Sequence, residues 1–126
     1  MGAVKRFFFD SYALIEIYYG NANYAKYLEC GVVTTRLNLM ECYYHLLHEH
    51  GERIANEYYD GSIHYTVEFS DIDIKSAMKL RLETRRKKKN LSYVDALGYV
   101  IAKRLDIKFL TGDKEFEDLP NVEFTK

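Results

Sequence analysis

The sequence predicts an α/β fold in which helices flank a central, mainly parallel β-sheet. Short apolar runs typical of buried strands alternate along the chain with segments of helical periodicity. Because helical segments separate successive strands, the strands are expected to be joined by crossovers and to pair in parallel. Ligands of such sheets bind at the carboxyl ends of the strands. Polar residues that directly follow a strand are therefore the first candidates for a functional site.

Length and composition predict one domain spanning residues 1–126. The chain is 48% hydrophobic and 29% charged with a single proline, which is typical of a globular domain. Its apolar runs are far shorter than the roughly 20 residues that cross a bilayer. Residues 1–6 are followed by a short strand-like run and then by the charged residue Asp10. This run is shorter than the apolar region of a signal peptide, so we expect no signal peptide. Cys30 and Cys42 do not form a secreted disulfide framework, so we expect a cytoplasmic protein without membrane contact.

The first part of the chain begins with a buried strand. Residues 4–9 are apolar and aromatic and stop at Asp10, as expected of a short strand inside a sheet. Two short helical pieces follow at 11–19 and 24–30, on either side of a glycine break, and residues 32–34 form a second strand.

A longer helix is predicted next, ending at Gly51. Six of its residues share one face at helical spacing: Leu37, Met40, Glu41, Tyr44, Leu47 and His48. Residues 53–59 are predicted to pair with it as a helical hairpin that Asp60-Gly61 closes. Apolar and polar residues then alternate over 63–69, which predicts another strand.

The last part of the chain predicts two helices and two strands. Ser70 or Asp71 caps a helix that runs to a basic cluster, and Ser92 caps the next helix. The core stripe of that second helix consists of Val94, Leu97, Val100, Ile101 and Leu105. Residues 107–110 form a strand that ends at Thr111-Gly112-Asp113, and a short helical turn precedes a final strand at 122–124.

Four acids occupy positions from which they could converge. Asp10 and Asp113 end two strands, Glu41 lies within an apolar helix stripe, and Asp95 lies one turn into a helix. Each also has a local interpretation. Asp10 could be a surface residue at a strand end, Gly112-Asp113 a simple turn, and Asp95 the acidic member of a capping box with Ser92.

A cluster of four carboxylates needs a cation to offset its repulsion. Oxygen ligands alone suit a hard ion, Mg²⁺ or Mn²⁺, rather than Zn²⁺. Hydrolysis of a phosphodiester is the chemistry that such a site performs, since the ion activates water and stabilises the leaving oxygen. The chain has no glycine-rich loop for a nucleoside triphosphate.

The charge distribution is compatible with a polyanionic substrate. Net charge is −1, but six cations lie within the nine residues 81–89. With the four acids set aside, 18 basic residues face 15 acidic ones, a net charge of +3. We take Arg85, Arg86 and Lys88 as candidate contacts to such a substrate. The alternative is a solvated helix end that complements the helix dipole.

Seven tyrosines lie within residues 12–44. Tyrosines can stack on unpaired bases, but at helical spacing core or dimer contacts are the commoner role. These residues are Tyr12, Tyr18, Tyr19, Tyr24, Tyr27, Tyr43 and Tyr44.

Four segments in order resemble the acidic motifs of PIN-domain ribonucleases, and their size and style are most similar to the VapC-like toxins of type II toxin–antitoxin pairs. The segments are Phe7-Phe8-Phe9-Asp10-Ser11, residues 34–41 ending at Glu41, Ser92-Tyr93-Val94-Asp95-Ala96, and residues 110–116 around Asp113.

This resemblance implies a three-layer PIN-like sandwich and a Mg²⁺- or Mn²⁺-dependent endoribonuclease. It implies Asp10, Glu41, Asp95 and Asp113 as metal ligands and catalytic residues. Ser11 and Thr111 would be supporting hydroxyls. A homodimer and an inhibitory antitoxin are also implied by the family. The acids that follow Asp113, namely Glu115, Glu117 and Asp118, stay outside the predicted core site.

Two other functions fit the same residues. The chain could be a PIN-fold nuclease of RNA processing without an antitoxin, or an inactive fold that serves as an RNA-binding or assembly module. Four retained, mutually repelling acids argue against the inactive module. The RNA that would be cut is not specified by the sequence.

Overall fold

The protein is described by a computed structural model over residues 4–126; Met1–Ala3, part of the segment considered for a signal peptide, lie outside the described residues. Within that range four parallel strands form one sheet in the order β2-β1-β3-β4. Phe8, in the middle strand β1, is in register with Val33 of β2 and Phe109 of β3. The strands are β1 Arg6–Phe9, β2 Gly31–Val33, β3 Lys108–Thr111 and β4 Val122–Phe124. The α/β class and the parallel sheet are confirmed.

Helices cover both faces of the sheet. They are α1 Ser11–Tyr18, α2 Arg36–His50, α3 Glu52–Ser62, α4 Asp71–Arg86 and α5 Tyr93–Arg104. Three 3₁₀ turns, at Ala22–Tyr27, Ile63–Tyr65 and Lys114–Phe116, connect them. Among the helices of residues 4–126, none has both the length and the apolar character required to span a bilayer.

The aromatic β1 strand separates two hydrophobic clusters. Phe7 and Phe9 point into the cluster under α1 and α2, while Phe8 points into the cluster under α4 and α5. All three rings are buried, as the alternation of side chains along a strand between two covered faces requires. The three-layer arrangement follows from this division.

Helix α5 lies unusually close to the sheet because of Gly98. A Cβ at this position would lie 2.7 Å from Cε1 of Phe8 and 3.2 Å from Cε1 of Phe109. Those two rings stack with their centroids 5.7 Å apart. The aromatic layer therefore touches the helix backbone, and only glycine fits between them.

An ion pair between a buried carboxylate and a half-exposed arginine joins α4 to α5. Asp73 is 3% exposed and receives two hydrogen bonds from Arg104, from Nε at 2.9 Å and from Nη2 at 3.0 Å. Ser70 and Asp73 also form a complete capping box at the start of α4, which confirms Ser70 as the cap. Burial tends to raise the pKa of Asp73, but the bonds from Arg104 and Ser70 outweigh it and the pKa is lowered.

The strand predicted over 63–69 is wrong. This segment forms the Ile63–Tyr65 turn and a single parallel bridge between Thr34 and Thr66. Its apolar residues alternate because the chain crosses from one cluster to the other: Ile63 packs below the sheet, and Val67 and Phe69 pack above it. The alternation of apolar and polar residues over 63–69 therefore arises because the segment passes between two packing environments, and it does not mark the two faces of a strand.

Two helix boundaries also differ from the prediction. Helix α3 continues through Asp60 and Gly61 to Ser62, because one exposed helical glycine costs only about 1 kcal/mol. The helix predicted at 24–30 is the 3₁₀ turn Ala22–Tyr27, in which Tyr24 and Tyr27 are buried. These two tyrosines are core residues, as their spacing suggested.

The predicted buried face of α2 is wrong as well. Met40 is 53% and Tyr44 71% exposed, and Leu47 and His48 are exposed too. The residues that α2 buries are Asn38, Leu39, Cys42 and Leu46. This helix carries apolar side chains on two sides, and a polar residue, Asn38, lies on the side that is buried. The helical spacing of apolar residues therefore predicted as buried a side of α2 that is largely exposed.

Candidate active site

Four acidic side chains line one open cleft at the carboxyl edge of the sheet. The cleft has a volume of about 620 Å³ and is lined by Asp10, Glu41, Asp95 and Asp113, together with Ser11. Asp10 directly follows β1, and Asp113 lies two residues after β3. Glu41 comes from α2 and Asp95 from α5. The acids singled out in the sequence are thus brought together from four separate elements.

Asp10 is the most deeply buried of the four acids, at 1% exposed. Its Oδ1 accepts a hydrogen bond from the backbone N–H of Ala13 at 2.8 Å and caps α1. Burial raises the pKa of Asp10 well above its usual range, against the opposing hydrogen bonds of Thr111 and Ala13. The nearby charges of Asp95 and Asp113 raise it further. Thr111, which is buried, therefore supports this carboxylate from behind.

Glu41 is held by a chain of polar side chains. The Ser11 hydroxyl donates a hydrogen bond to Oε1 of Glu41. Nδ2 of Asn38 donates to the Ser11 oxygen at 3.2 Å, and the Thr35 hydroxyl donates to Oδ1 of Asn38 at 2.7 Å. Asn38 is 1% exposed, and its role was missed by sequence reasoning. The available signal was a polar residue one turn before Glu41, on the same helix.

Asp95 combines a structural and an electrostatic role. The Ser92 hydroxyl accepts the N–H of Asp95 at 3.0 Å and caps α5. Burial raises the pKa of Asp95 to about 6; hydrogen bonding to Ser92 opposes this rise, and the charges of Glu41 and Asp113 add to it. This carboxyl group is therefore stabilised locally while it experiences the other acids of the cleft.

Asp113 is likewise both a cap and a cleft residue. Its Oδ1 accepts the N–H of Glu115 at 3.0 Å, and its own N–H donates to the Thr111 hydroxyl at 3.0 Å. Asp10, Asp95 and Asp113 all lie at helix starts that open on the cleft. The surface interpretation of Asp10 is wrong, because this residue is 1% exposed. The local roles of Asp95 and Asp113 at helix starts coexist with the convergence of the acids in the cleft.

Six further residues, which were not among the predicted site residues, also line the cleft. They are Tyr12, Ser92, Gly112, Lys114, Glu115 and Lys126. Gly112 is required by close packing, because a Cβ there would lie 2.2 Å from Cε1 of Tyr12 and 2.6 Å from the carbonyl oxygen of Thr125. Of the acids that follow Asp113, Glu115 lines the cleft, whereas Asp118 pairs with Lys89.

The basic residues proposed from the sequence lie outside the cleft. Arg85 and Arg86 end α4, and Lys88 follows in a left-handed conformation with φ of 66°. All three side chains are exposed. The loop they occupy is tied to the cleft, since the N–H of Asn90 donates to a carboxylate oxygen of Glu115 at 3.2 Å.

The donor set of the cleft fits a hard divalent cation. Its ligating groups are carboxylate and hydroxyl oxygens, and the raised pKa values of Asp10 and Asp95 reflect buried negative charge that a cation would offset. In residues 4–126 no three His, Cys, Asp or Glu side chains stand close enough to hold an ion in their present rotamers. In those rotamers Asp10, Glu41 and Asp113 are each engaged in a local hydrogen bond.

Comparison with known proteins identifies the family of this chain. The sequence model of the PIN domain family matches residues 7–122. This chain belongs to the PIN domain family. No curated protein sequence matches it.

Solved structures share the PIN fold of this chain at low sequence identity. A toxin–antitoxin complex from Klebsiella pneumoniae has 20% identity and a TM-score of 0.73, over 93% of this chain and 95% of that one. A DNA-bound VapBC from Salmonella typhimurium has 16% identity and a TM-score of 0.70, over 97% of each chain. VapC20 of Mycobacterium tuberculosis, a sarcin–ricin loop cleaving toxin, has 19% identity and a TM-score of 0.70, over 95% of this chain and 99% of that one.

Proposed function

We propose that this PIN-domain protein is an endoribonuclease that hydrolyses RNA phosphodiester bonds with Mg²⁺ or Mn²⁺. The observation that carries the proposal is the convergence of Asp10, Glu41, Asp95 and Asp113 in one cleft at the carboxyl edge of the sheet. Four acids with oxygen-only chemistry have few other uses, because their mutual repulsion destabilises the fold unless a cation joins them.

In this proposal the four acids hold the cation and the neighbouring groups position them. Once bound, the ion would activate a water molecule and stabilise the leaving oxygen. Ser11 holds Glu41 through its hydroxyl, and Thr111 supports Asp10. Lys114 and Lys126 bring positive charge to the cleft wall, where an RNA phosphate would enter.

The direct test is a cleavage assay on mixed RNA with Mg²⁺, Mn²⁺ or EDTA. We expect internal cleavage with either ion and none in EDTA. Cleavage that persists in EDTA, or no cleavage with either ion, would contradict the proposal. An RNA-binding protein that never cleaves would instead support the inactive module considered from the sequence.

The basic residues after α4 are proposed to bind the RNA backbone. Arg85, Arg86 and Lys88 are exposed, and their loop is hydrogen-bonded to the cleft residue Glu115. Replacing all three with Gln should weaken binding to single-stranded RNA. The log–log salt slope should fall by roughly 0.7 for each lost phosphate contact. An unchanged slope in the triple variant would show that these residues only solvate a helix end.

We also propose that the protein is the toxin of a toxin–antitoxin pair, a homodimer that acts in the cytoplasm. Two of the similar structures are described as a toxin–antitoxin complex and a VapBC complex. An exposed apolar patch on α2, formed by Met40, Tyr44 and Leu47, is suited to a protein partner.

The test of this proposal is expression of the protein in a bacterial host. Expression should arrest growth, and a small protein encoded upstream should restore growth by binding the toxin. Normal growth would favour an RNA-processing nuclease. Sedimentation velocity of the purified protein tests the oligomeric state, and we expect the mass of a dimer.

A further inference from the structure

Tyr93 is an exposed aromatic residue beside the acid cleft. Its side chain is 65% exposed, although it occupies the first position of α5, between the cleft residues Ser92 and Asp95. The guanidinium of Arg81 lies over the ring, 4.6 Å from its centroid. Nε of Arg81 in turn donates to the carbonyl of Leu91 at 3.0 Å, which fixes the arginine in place. The ring is therefore both accessible and held by a cation.

An apolar groove begins at this ring. It has a volume of about 230 Å³, and its walls include Leu37, Phe69, Met78, Tyr93 and Leu97. This is smaller than the roughly 300 Å³ at which pockets for drug-sized ligands begin. A groove of this size and composition suits one flat, apolar-faced group.

The groove and the cleft share their walls. On α2, Leu37 lines the groove, and Glu41, one turn later, lines the cleft. On α5, Tyr93 lines the groove, while Ser92 and Asp95 line the cleft. A polymer bound at the four acids therefore passes helix segments that also border the groove.

We propose that Tyr93 and this groove bind one unpaired base of the RNA, next to the phosphate that the cleft cleaves. This inference rests on the proposed function and adds that the substrate is single-stranded at the cut. Aromatic rings stack on bases of any sequence, and arginine adds a cation–π contribution. Arg81 is followed, at the end of α4 and in the loop after it, by the exposed cations Arg85 to Lys88, and an RNA backbone requires such positive charge.

Binding of a short, fluorescein-labelled single-stranded RNA, measured by anisotropy in EDTA so that no cleavage occurs, tests this. Tyr93→Leu, which keeps apolar bulk but removes the aromatic face, should weaken binding roughly 5- to 150-fold. Tyr93→Phe should bind within roughly 3-fold of the wild type, because it retains the ring. Binding of the same RNA in a duplex should change little in either variant, since paired bases are not available for stacking.

Tyr19→Leu is the matched control. Tyr19 is 49% exposed and follows the last residue of α1, whose first turn begins at the cleft. The Tyr19→Leu substitution should leave the affinity for single-stranded RNA unchanged. Equal single-strand affinity of Tyr93→Leu and wild type would overturn the inference, as would an equal loss with duplex RNA. A dimer that dissociates in Tyr93→Leu while RNA affinity is unchanged would assign the groove to a second copy of the chain.

The outcomes for this site and for the nuclease can be told apart. Metal-dependent cleavage that is the same in Tyr93→Leu and wild type at limiting RNA would retain the nuclease and reject the base site. Tyr93-dependent binding without cleavage in Mg²⁺ or Mn²⁺ would retain the base site and reject the nuclease.

Discussion

Asp10 and Asp73 are both buried carboxylates, but their surroundings are opposite. Asp73 is 3% exposed, makes two hydrogen bonds with Arg104, and has a lowered pKa. Asp10 is 1% exposed, has neutral donors from Ala13 and Thr111, and has a raised pKa, with further acids nearby. A buried acid with its own cation stabilises the fold. A buried acid that lies among other acids, with no cation of the protein paired to it, indicates a functional site.

The largest expected effect is on activity, from removing one charge of the cleft. Asp95→Asn keeps an oxygen that can accept the N–H of the helix start, so folding should be retained. Metal-dependent RNA cleavage should fall more than about 100-fold, since even residues that only orient metal ligands contribute 10–100-fold. Glu41→Gln should behave in the same way.

Thermal unfolding of Asp95→Asn provides the complementary measurement. Without metal, the variant should be as stable as the wild type or more stable, because one of four clustered charges is removed. Added Mg²⁺ should raise the melting temperature of the wild type more than that of the variant. A fully active Asp95→Asn protein would remove Asp95 from the site.

The next largest effect tests how Glu41 is positioned. Asn38→Ala removes the amide that links Thr35 to Ser11, and with it the support of the Ser11–Glu41 hydrogen bond. We expect a loss of about 10- to 100-fold in Mn²⁺ affinity, measured by calorimetry, with a matching loss of cleavage. Leu39→Ala, a cavity on the same buried face of α2, is the control and should lower stability without weakening Mn²⁺ binding. Equal Mn²⁺ affinities in Asn38→Ala and wild type would show that Asn38 is structural only.

Removing the charge of Asp73 should lower the stability of the fold and leave RNA cleavage intact. Asp73→Asn removes the charge that Arg104 binds, and urea unfolding should show a loss of about 1 to 3 kcal/mol. Arg104 is 45% exposed, so solvent screens the pair and the loss should stay below that of a fully buried one. Glu57→Gln, in the exposed pair with Arg53, should cost less than about 0.5 kcal/mol. Lost cleavage in a fully folded Asp73→Asn protein would contradict the separation of the two regions.

The smallest effect is the pH dependence of that stabilisation. The pKa of Asp73 is lower in the folded protein than its usual value of 3.8. Its contribution to the free energy of unfolding is therefore complete above that usual value and is lost as the pH falls through the folded pKa. The difference in unfolding free energy between wild type and Asp73→Asn should be constant at neutral pH and shrink below about pH 4. A difference that grows as the pH falls would contradict the lowered pKa.

The positions of the strand-end acids could be predicted from sequence because they depend on local rules. A buried apolar run that stops at an acid places Asp10 and Asp113 at the end of a strand, and parallel strands bring these ends to one edge. Asp95 could be placed from its capping serine. These inferences need only short stretches of sequence, so they do not depend on how the rest of the chain packs.

The remaining features depend on contacts between distant segments. Both sides of α2 carry apolar residues, so the apolar periodicity of the helix could not show that Asn38 is buried and Tyr44 exposed. The alternation at 63–69 comes from passing the edge of the sheet, which only the assembled fold defines. Lys126 reaches the cleft because the last strand pairs with β3 and carries the chain end to the acids.

Gly98 connects the hydrophobic core to the choice of ion. Asp95 lies one turn before Gly98 on α5, so the close approach of this helix to Phe8 and Phe109 also helps to position Asp95 at the cleft. Mg²⁺ requires oxygen ligands at about 2.1 Å, whereas Ca²⁺ accepts 2.3–2.6 Å. Gly98→Ala should push the helix outward and widen the cleft, so the proposed metal site should then favour the larger ion more than it does in the wild type. A single methyl group added in the core would then change which ionic radius the proposed site prefers.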